Sequence, residues 1–574
     1  MTERGNPVLP LTSSWDSESQ ETPMAVQVWE VGKSECRAVM VQIRVEILLG
    51  AKASRRPTGI LLQENLENRI MKKSQMTTAA LPFMALPMIG ASSAKFNIWE
   101  SIDWASIEHL VNRLQMRIAK ATREGKHHKV KALQWILTHS FSAKLLAVKR
   151  VTSNSGAKTP GIDKIIWRTS NQKFGAAKTL QRRGYKSQPL RRIYIPKSNG
   201  KQRPLGIPTM KDRAMQALYL LALEPVAETQ ADVNSYGFRP KRSCADAIEQ
   251  CFVALGQKQG AKWILEGDIK SCFDCIDHQW LKANALTDTV ILEKWLASGY
   301  MEKGSFYKTE NGTPQGGIIS PRLATIALNG LEGVAKANAR RPDKVNVVIY
   351  ADDFVVTASS KELLEQQIKP RIAAFLKALG LELSQEKTKI TNIEDGFDFL
   401  GHNIRKYNNK LLTKPSKKSI NTFLKGIRET IKYNPTASAE GLIYLLNPKI
   451  QGWCNYFRHA VAKEAFSYVD HQIFLALRTW IKRRHRNKSE QWRKDKYFRS
   501  NDLRNWVFSS KIKDKEGNFR HLDLFSASAM KIRRHVKIRG DATPFDPEFT
   551  DYFKRRSQRN NKVKRAPHKP LNKG

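Results

Sequence analysis

Residues 347–358 read VVIYADDFVVTA, a run in which two adjacent carboxylates, Asp352 and Asp353, interrupt apolar residues. The β-branched and aromatic residues on either side predict two strands, and the Ala-Asp-Asp segment between them predicts the turn of a β-hairpin. Two neighbouring like charges repel each other, so the pair requires something that offsets the repulsion. A divalent cation would do so, because Mg²⁺ prefers carboxylate oxygens.

A third carboxylate follows another apolar strand upstream. Residues 263–278 read WILEGDIKSCFDCIDH and place Asp268 at the end of that strand. Three carboxylates on adjacent strands could hold two metal ions about 3.5–4 Å apart, an arrangement that suits in-line phosphoryl transfer from a triphosphate to a 3′-hydroxyl. An isolated Asp-Asp pair is more often solvated turn chemistry. The combination of the two motifs favours the catalytic interpretation.

The composition indicates a polyanionic partner. The chain has 574 residues, with 98 Lys and Arg against 53 Asp and Glu, and a net charge of +45. Several domains are expected at this length. Such a charge attracts nucleic acid first and an anionic membrane surface second. No apolar run is long enough to span a bilayer, which disfavours a membrane role. The six Cys have no regular spacing, which favours a reducing compartment.

Longer motifs carry a family resemblance. YADD, the upstream GDIKSCFD and the intervening NGTPQGGIISPRLATIAL resemble, in order and spacing, the palm motifs of reverse transcriptases. RIYIPKSNGKQRPLGIP, and the helical sequence before it, resemble the fingers motifs of group II intron reverse transcriptases. The resemblance runs from about residue 99 to about residue 547. It implies an α+β fold shaped as a right hand of fingers, palm and thumb. One departure is Lys164, where relatives usually carry Gly.

The resemblance also assigns roles to individual residues. The catalytic and Mg²⁺-binding residues are Asp268, Asp352 and Asp353. The nucleotide-binding residues are Lys197, Arg203, Phe273, Gln315 and Lys387. The primer grip consists of Phe399, Leu400 and Gly401. Phe273 would be a steric gate against a 2′-hydroxyl, with an ordinary core Phe as the alternative. Lys387 would lie near the leaving phosphate, with a solvated surface Lys as the alternative.

The C-terminal third resembles a maturase (X) domain, which is also the thumb. Its segment LNPKIQGWCNYFRHAVAKEAFSYVDHQIFLALRTWIKRRHRNK offers basic helices with interleaved aromatics that could contact a folded RNA, among which Trp453 and Trp480 are interpreted as helix core. The domains expected are an extension over 1–96, fingers and palm over 97–405, maturase and thumb over 410–490, and a basic DNA-binding segment with a disordered tail over 491–574. No HNH endonuclease is expected, because no second C-x-x-C follows Cys272 and Cys275, which are interpreted as core residues.

The expected function follows from this resemblance. The protein would be an RNA-directed DNA polymerase that assists splicing of its parent intron and copies the intron RNA into DNA during retrohoming. Its partners would be group II intron RNA, an RNA template with a DNA primer, dNTPs and target DNA, in a ribonucleoprotein inside a bacterium or organelle. A maturase with little polymerase activity and a domesticated enzyme of repair or defence remain as alternatives. Oligomeric state is open, and residues 1–96 are either a true extension or translated upstream intron RNA.

Overall fold

The computed structural model describes residues 99–565 except 197–199, 201, 314–315, 502–503 and 515. The extension expected over 1–96, the candidate residues Lys197 and Gln315, and the tail beyond 565 lie outside the described residues. No helix in the described part of the chain is both long enough and apolar enough to span a bilayer.

Helices and strands alternate along the described chain. The helices are α1 (Trp104–Arg123), α2 (His127–His139), α3 (Phe141–Thr152), α4 (Ser170–Thr179), α5 (Met210–Gln230), α6 (Cys244–Leu255), α7 (Cys272–Cys275), α8 (His278–Asn284), α9 (Thr289–Leu296), α10 (Ser320–Ala327), α11 (Leu331–Lys336), α12 (Lys369–Ala378), α13 (Lys417–Lys432), α14 (Ala439–Phe457), α15 (Lys463–Arg484), α16 (Glu490–Tyr497) and α17 (Thr550–Arg565). The strands are β1 (Leu190–Pro196), β2 (Gln202–Ile207), β3 (Trp263–Asp268), β4 (Tyr300–Glu302), β5 (Ser305–Tyr307), β6 (Asn346–Tyr350), β7 (Asp353–Ala358), β8 (Lys389–Asn392), β9 (Phe397–Phe399), β10 (His402–Tyr407), β11 (Lys410–Pro415), β12 (Phe498–Asn501), β13 (Arg504–Lys513) and β14 (Phe519–Asp523).

The first helices pack around α5. Helix α1 begins at the N-cap Asp103, whose carboxylate accepts from the backbone N–H groups of the first turn. Helix α5 is buried along nearly its whole length, because α1, α2 and α3 surround it. A neighbouring sheet has the strand order β2-β1-β4-β5, in which β1 and β2 form an antiparallel hairpin. Helices and hairpin together make the region that the sequence predicted as fingers.

The central sheet positions the candidate site. Its strand order is β6-β7-β3-β8, and each neighbouring pair is antiparallel. Strand β3 lies inside the sheet between β7 and β8, so its apolar residues Ile264 and Leu265 are fully buried. One large core cluster joins this sheet to the helices around α5. The mixed helix and sheet content confirms the α+β fold class predicted from the sequence.

A separate core lies further along the chain. The small sheet β11-β10-β9 leads into helices α13, α14 and α15, which pack around their own apolar cluster. Trp480 is buried in that cluster, and Trp453 packs against it with its ring stacked on Phe423, as the core interpretation predicted. The antiparallel sheet β12-β13-β14 closes over the same cluster.

The last described residues return to the central sheet. Ile538 and Ala542 are each 1% exposed and belong to the apolar cluster that covers one side of β6 and β7. Asp546 forms an ion pair of 2.9 Å with Arg123 at the end of α1. We call residues 533–556 the C-terminal strap, because they pack across the palm region and reach back to the first helix.

Candidate active site

The hairpin predicted by YADD is present. Strands β6 and β7 pair antiparallel, with Tyr350 opposite Asp353, so a turn of only Ala351 and Asp352 joins them. Ala351 has φ of +59°, in the left-handed region. The prediction placed Asp353 in the turn, whereas it is the first residue of β7. A two-residue turn closes the hairpin more tightly and leaves Asp353 in the strand ladder.

Asp268 and Asp353 directly oppose each other. Strand β3 pairs with β7 in a register that places Asp268 across from Asp353 and Gly267 across from Phe354. A Cβ on Gly267 would lie 2.1 Å from Cζ of Phe354, so only glycine allows this ring to cross the strand. The register therefore brings together two carboxylates that are 85 positions apart in the sequence. Asp352 adjoins them in the hairpin turn.

Negative charge accumulates at this point of the sheet. Burial, followed by the neighbouring carboxylates of Asp352 and Asp268, raises the pKa of Asp353 to about 6. Lys387 opposes that shift, and its Nζ lies 2.7 Å from Oδ2 of Asp268. The hydrogen bond to Asp268 raises the pKa of Lys387 in turn. The backbone N–H of Ser384 donates to the carbonyl of Asp268 at 2.8 Å, which fixes the segment that carries Lys387.

The donor set fits a hard divalent cation. Carboxylate oxygens are the ligands that Mg²⁺ prefers, and a cation would relieve the repulsion that raises the pKa of Asp353. Among the residues that the structure describes, no three His, Cys, Asp or Glu side chains form a ready-made metal-binding group. Asp268 is instead paired with the Lys387 ammonium, with which a metal ion would compete for the carboxylate.

Phe273 lies on the short helix α7, which follows β3 and Asp268 in the chain. Its ring is half-buried against the main core, and it also meets the exposed ring of Phe238 edge-on, with centroids 6.1 Å apart. The Phe273 carbonyl accepts from the N–H of Thr313 at 2.6 Å, so the helix and the loop before Gln315 are joined. Cys272 is buried and Cys275 half-buried, and both are free thiols.

Sequence reasoning missed the segment that supports this hairpin. A Cβ on Gly237 would lie 2.2 Å from the backbone nitrogen of Ala351, so residue 237 must be glycine for the two backbones to touch. The next residue, Phe238, has φ of +56°, and its carbonyl accepts from Arg322 at 3.0 Å. The available signal was the sequence YGF, a glycine between two aromatics outside any predicted strand or helix.

The fingers hairpin meets the glycine-rich loop. Arg203 lies on β2 opposite Ile195 of β1. Gly316 has φ of +115°, and a Cβ there would lie 2.5 Å from the carbonyl oxygen of Gly206. The loop that carries the predicted nucleotide contact thus touches the strand that carries Arg203, while Lys197 and Gln315 themselves lie outside the described residues.

The predicted primer grip is a strained turn fixed to the thumb. Phe399 is buried at the end of β9, whereas Leu400 and Gly401 both have positive φ, +48° and +75°. The hydroxyl of Tyr456 on α14 donates to the Leu400 carbonyl at 2.8 Å. The ring Nδ1 of His402 lies 3.1 Å from the same carbonyl. Nothing in the sequence pattern predicted this link between α14 and the turn.

Comparison with protein families gives three consecutive matches. A family described as "Reverse transcriptase (RNA-dependent DNA polymerase)" matches residues 195–404. A family described as "N-terminal domain of reverse transcriptase" matches residues 99–180. A family described as "Group II intron, maturase-specific domain" matches residues 420–498. The first match contains the opposed carboxylates, the hairpin and Lys387.

Individual relatives are similar over the same region. The chain is 32% identical to protein YkfC of Escherichia coli over 339 residues, which cover 51% of this chain and 88% of YkfC. It is 34% identical to the group II intron-encoded protein LtrA of Lactococcus lactis, over 45% of this chain and 54% of LtrA. An uncharacterized 91 kDa protein in the cob intron of Schizosaccharomyces pombe is 30% identical over 45% of this chain and 40% of its own length. The chain thus spans only about half of LtrA.

Proposed function

Since this chain belongs to the group II intron family of reverse transcriptases, with an RNA-directed DNA polymerase domain followed by a maturase domain, we propose that it extends a DNA primer on an RNA template at the carboxylate pair of the central sheet. The observation that carries this proposal is the register of β3 and β7, which sets Asp268 against Asp353 beside the Asp352 turn. Pairs of strand-borne carboxylates suit nucleotidyl transfer, because the reaction requires fixed oxygens around divalent cations.

The described residues support a division of roles. Asp268, Asp352 and Asp353 would hold Mg²⁺. The positive charge of the metal would favour deprotonation of the 3′-hydroxyl and stabilise the leaving diphosphate. Lys387 orients the Asp268 carboxylate through its 2.7 Å ion pair, and places a cation at the same edge of the sheet. The positive-φ turn at Leu400 positions the primer end, because Tyr456 fixes its carbonyl to the thumb.

Nucleotide selection belongs to Phe273 in this proposal. The ring packs on the core on one side and meets Phe238 edge-on. It therefore has little room to move aside for the 2′-hydroxyl of a ribonucleotide. Arg203 and Lys197, from the fingers hairpin, would bind the triphosphate, as Arg and Lys commonly do. Gln315 would contact the incoming nucleotide from the glycine-rich loop that touches β2.

Primer extension tests this proposal. Wild type, Phe273→Val and Asp352→Ala would be compared on an RNA template with Mg²⁺ and either dNTPs or rNTPs. We expect wild type to extend with dNTPs only, Phe273→Val to accept rNTPs as well, and Asp352→Ala to be inactive with both. Unchanged rNTP exclusion in Phe273→Val would contradict the gate, and extension by Asp352→Ala would contradict the site.

The maturase domain supports a second role on RNA. From residue 478 to residue 499 the chain carries ten Lys or Arg against two Asp or Glu, along the end of α15, the following loop, α16 and the start of β12. Elsewhere in the same domain Tyr433, at the end of α13, and Tyr444, on α14, are exposed and available for stacking. We propose that this face binds the parent group II intron RNA, and that the protein later meets target DNA within that ribonucleoprotein during retrohoming, inside a bacterium or an organelle.

An in vitro splicing reaction separates the two roles. Asp352→Ala is expected to support splicing of the parent intron at the wild-type rate, because the thumb core does not include the hairpin. Loss of splicing in that variant, with RNA binding intact, would contradict separate sites. Splicing without any primer extension by the wild-type chain would favour a maturase with little polymerase activity.

A further inference from the structure

Phe238, the residue beside the proposed gate, combines two unfavourable features. Its backbone has φ of +56°, which a bulky side chain rarely adopts, and its apolar ring is 49% exposed. Backbone strain of this kind persists only where the surrounding structure enforces it, and such positions cluster at functional sites. Packing alone therefore does not explain a phenylalanine at this position.

The residues on either side of Phe238 enforce its conformation. The backbone of Gly237 touches that of Ala351 so closely that a Cβ would lie 2.2 Å from the Ala351 nitrogen. On the other side, the guanidinium of Arg239 binds both carboxylate oxygens of Glu228, at 2.8 and 2.7 Å. Phe238 is therefore tied through one neighbour to the YADD hairpin and through the other to helix α5.

A second buried arginine holds Phe238 itself. Arg322, on α10, donates from Nη2 to the Phe238 carbonyl at 3.0 Å, and its side chain is only 2% exposed. The same Nη2 lies 3.1 Å from Oε1 of Glu224, and Nη1 lies 3.8 Å from Oε2 of Glu228. The Glu228 side chain is fully buried, so its charge depends on these partners. We call Glu228, Arg239 and Arg322 the buried ion cluster.

The ring that this backbone presents meets the ring of Phe273. The two centroids are 6.1 Å apart and the ring planes are inclined by 78°, an edge-on arrangement that aromatic pairs favour. Phe273 lies on α7, a helix of four residues, and so short a helix has little stability of its own. The orientation of the Phe273 ring therefore depends on its neighbours, the main core on one side and Phe238 on another.

We propose that Phe238 is a positioning residue for the gate, so that the selection of dNTPs over rNTPs depends on both rings. A gate excludes a 2′-hydroxyl only if its ring cannot move aside, and Phe238 blocks movement in one direction. The buried ion cluster and Gly237 hold Phe238 relative to the hairpin turn, so the gate keeps a fixed place beside the carboxylates. The inference rests on the proposed function, because it concerns the nucleotide that the polymerase site accepts.

A glycine substitution tests the proposal without straining the fold. Phe238→Gly removes the ring and relieves the backbone strain, because glycine adopts a φ near +56° freely. Lys241→Gly is the matched control, since Lys241 is exposed in the same loop and has φ of +62°. Phe238→Tyr keeps an aromatic ring. The measured quantity is kcat/KM for a dNTP divided by kcat/KM for the corresponding rNTP, in primer extension on an RNA template.

We expect Phe238→Gly to lower this ratio by at least about 10-fold, the lower end of what a methylene-sized change in a pocket contributes to discrimination. Phe238→Tyr and Lys241→Gly are expected to keep the wild-type ratio. An unchanged ratio in Phe238→Gly would overturn the proposal. An equal fall in Lys241→Gly would show a general effect of loop flexibility and overturn it as well.

The double variant Phe238→Gly with Phe273→Val shows whether the two rings act together. If Phe238 acts through Phe273, the double variant should have the ratio of Phe273→Val alone, because the effects of contacting residues are not additive. Losses that multiply would overturn the positioning role.

Nucleotide affinities on a dideoxy-terminated primer give a corresponding ratio without bond formation. A wild type that binds dNTPs selectively but extends no primer would contradict the proposed function alone. The affinity ratio of Phe238→Gly would then decide this inference, with a fall supporting it and an unchanged ratio overturning it.

Discussion

Adding one methyl group at Gly267 should disable the candidate site without touching a carboxylate. A Cβ at this position would lie 2.1 Å from Cζ of Phe354, whereas non-bonded carbons pack at about 3.5–4.0 Å. Phe354 is 1% exposed and cannot turn outward, so β3 and β7 must separate by about 1 Å or more to admit the methyl group. Overpacking of this kind costs about 1–3 kcal/mol of unfolding free energy.

The catalytic cost should be larger than the cost in stability. The residues next to the clash are Asp268 and Asp353, which oppose each other in the same register. A misplacement of about 1 Å in reacting groups lowers rate by about 10²-fold. Single-turnover primer extension with saturating template and primer measures this rate, and thermal unfolding measures the stability. Gly426→Ala is the matched control, since no atom lies within 4 Å of a Cβ there.

A second substitution checks the assigned cause. In Gly267→Ala with Phe354→Leu, the smaller side chain leaves room for the methyl group, so part of the lost rate should return although two residues are changed. A double variant no faster than Gly267→Ala, or a single variant with the wild-type rate, would refute the claim that the register of β3 and β7 sets the site.

Three further predictions follow from individual contacts. Lys387→Met should lower the extension rate by at least about 10-fold. It should change the unfolding free energy by less than about 1 kcal/mol, because Lys387 is largely exposed in its ion pair with Asp268. A large loss of stability in thermal unfolding would contradict this. Lys164→Gly should raise unfolding free energy by about 1 kcal/mol in thermal unfolding, because Lys164 has φ of +58°, and destabilisation would contradict the backbone argument. Burial lowers the pKa of His402 from its ordinary value of 6.5 to about 4. Between about pH 7.5 and pH 5 the unfolded chain therefore takes up a proton that the folded ring does not, and this ring alone should lower the unfolding free energy by about 2 kcal/mol. His402→Gln should make that decline shallower, and an unchanged decline would exclude His402 as its source.

The central sheet was predictable because its signals are local. Runs of β-branched and aromatic residues on each side of the Asp pair predict two strands and a short turn, and the apolar run before Asp268 predicts a third strand. The requirement that three carboxylates share one metal site then predicted that those strands are adjacent. The exact start of β7 at Asp353 was not predictable, since a two-residue and a three-residue turn fit the same sequence.

The supports of the site could not be predicted, because they join residues far apart in the sequence. Gly237 touches Ala351 through backbone atoms alone, which leaves no side-chain pattern. Asp246 looks like an ordinary first-turn acid of a helix, and only the fold brings the strap residues His535 and Arg556 to it. The sequence predicted a DNA-binding segment over 491–574, and nothing local indicated that residues 533–556 would pack on the palm.

The most direct test of the central claim is single-turnover extension of a DNA primer, already bound with its RNA template, by four Asp-to-Asn variants. Asp268→Asn, Asp352→Asn and Asp353→Asn are each expected to lose at least about 10³-fold in rate while template and primer bind as in wild type. Asp395→Asn, an exposed acid near the same sheet, is expected to retain the wild-type rate. Near-normal extension by any of the first three variants would contradict a shared three-carboxylate site.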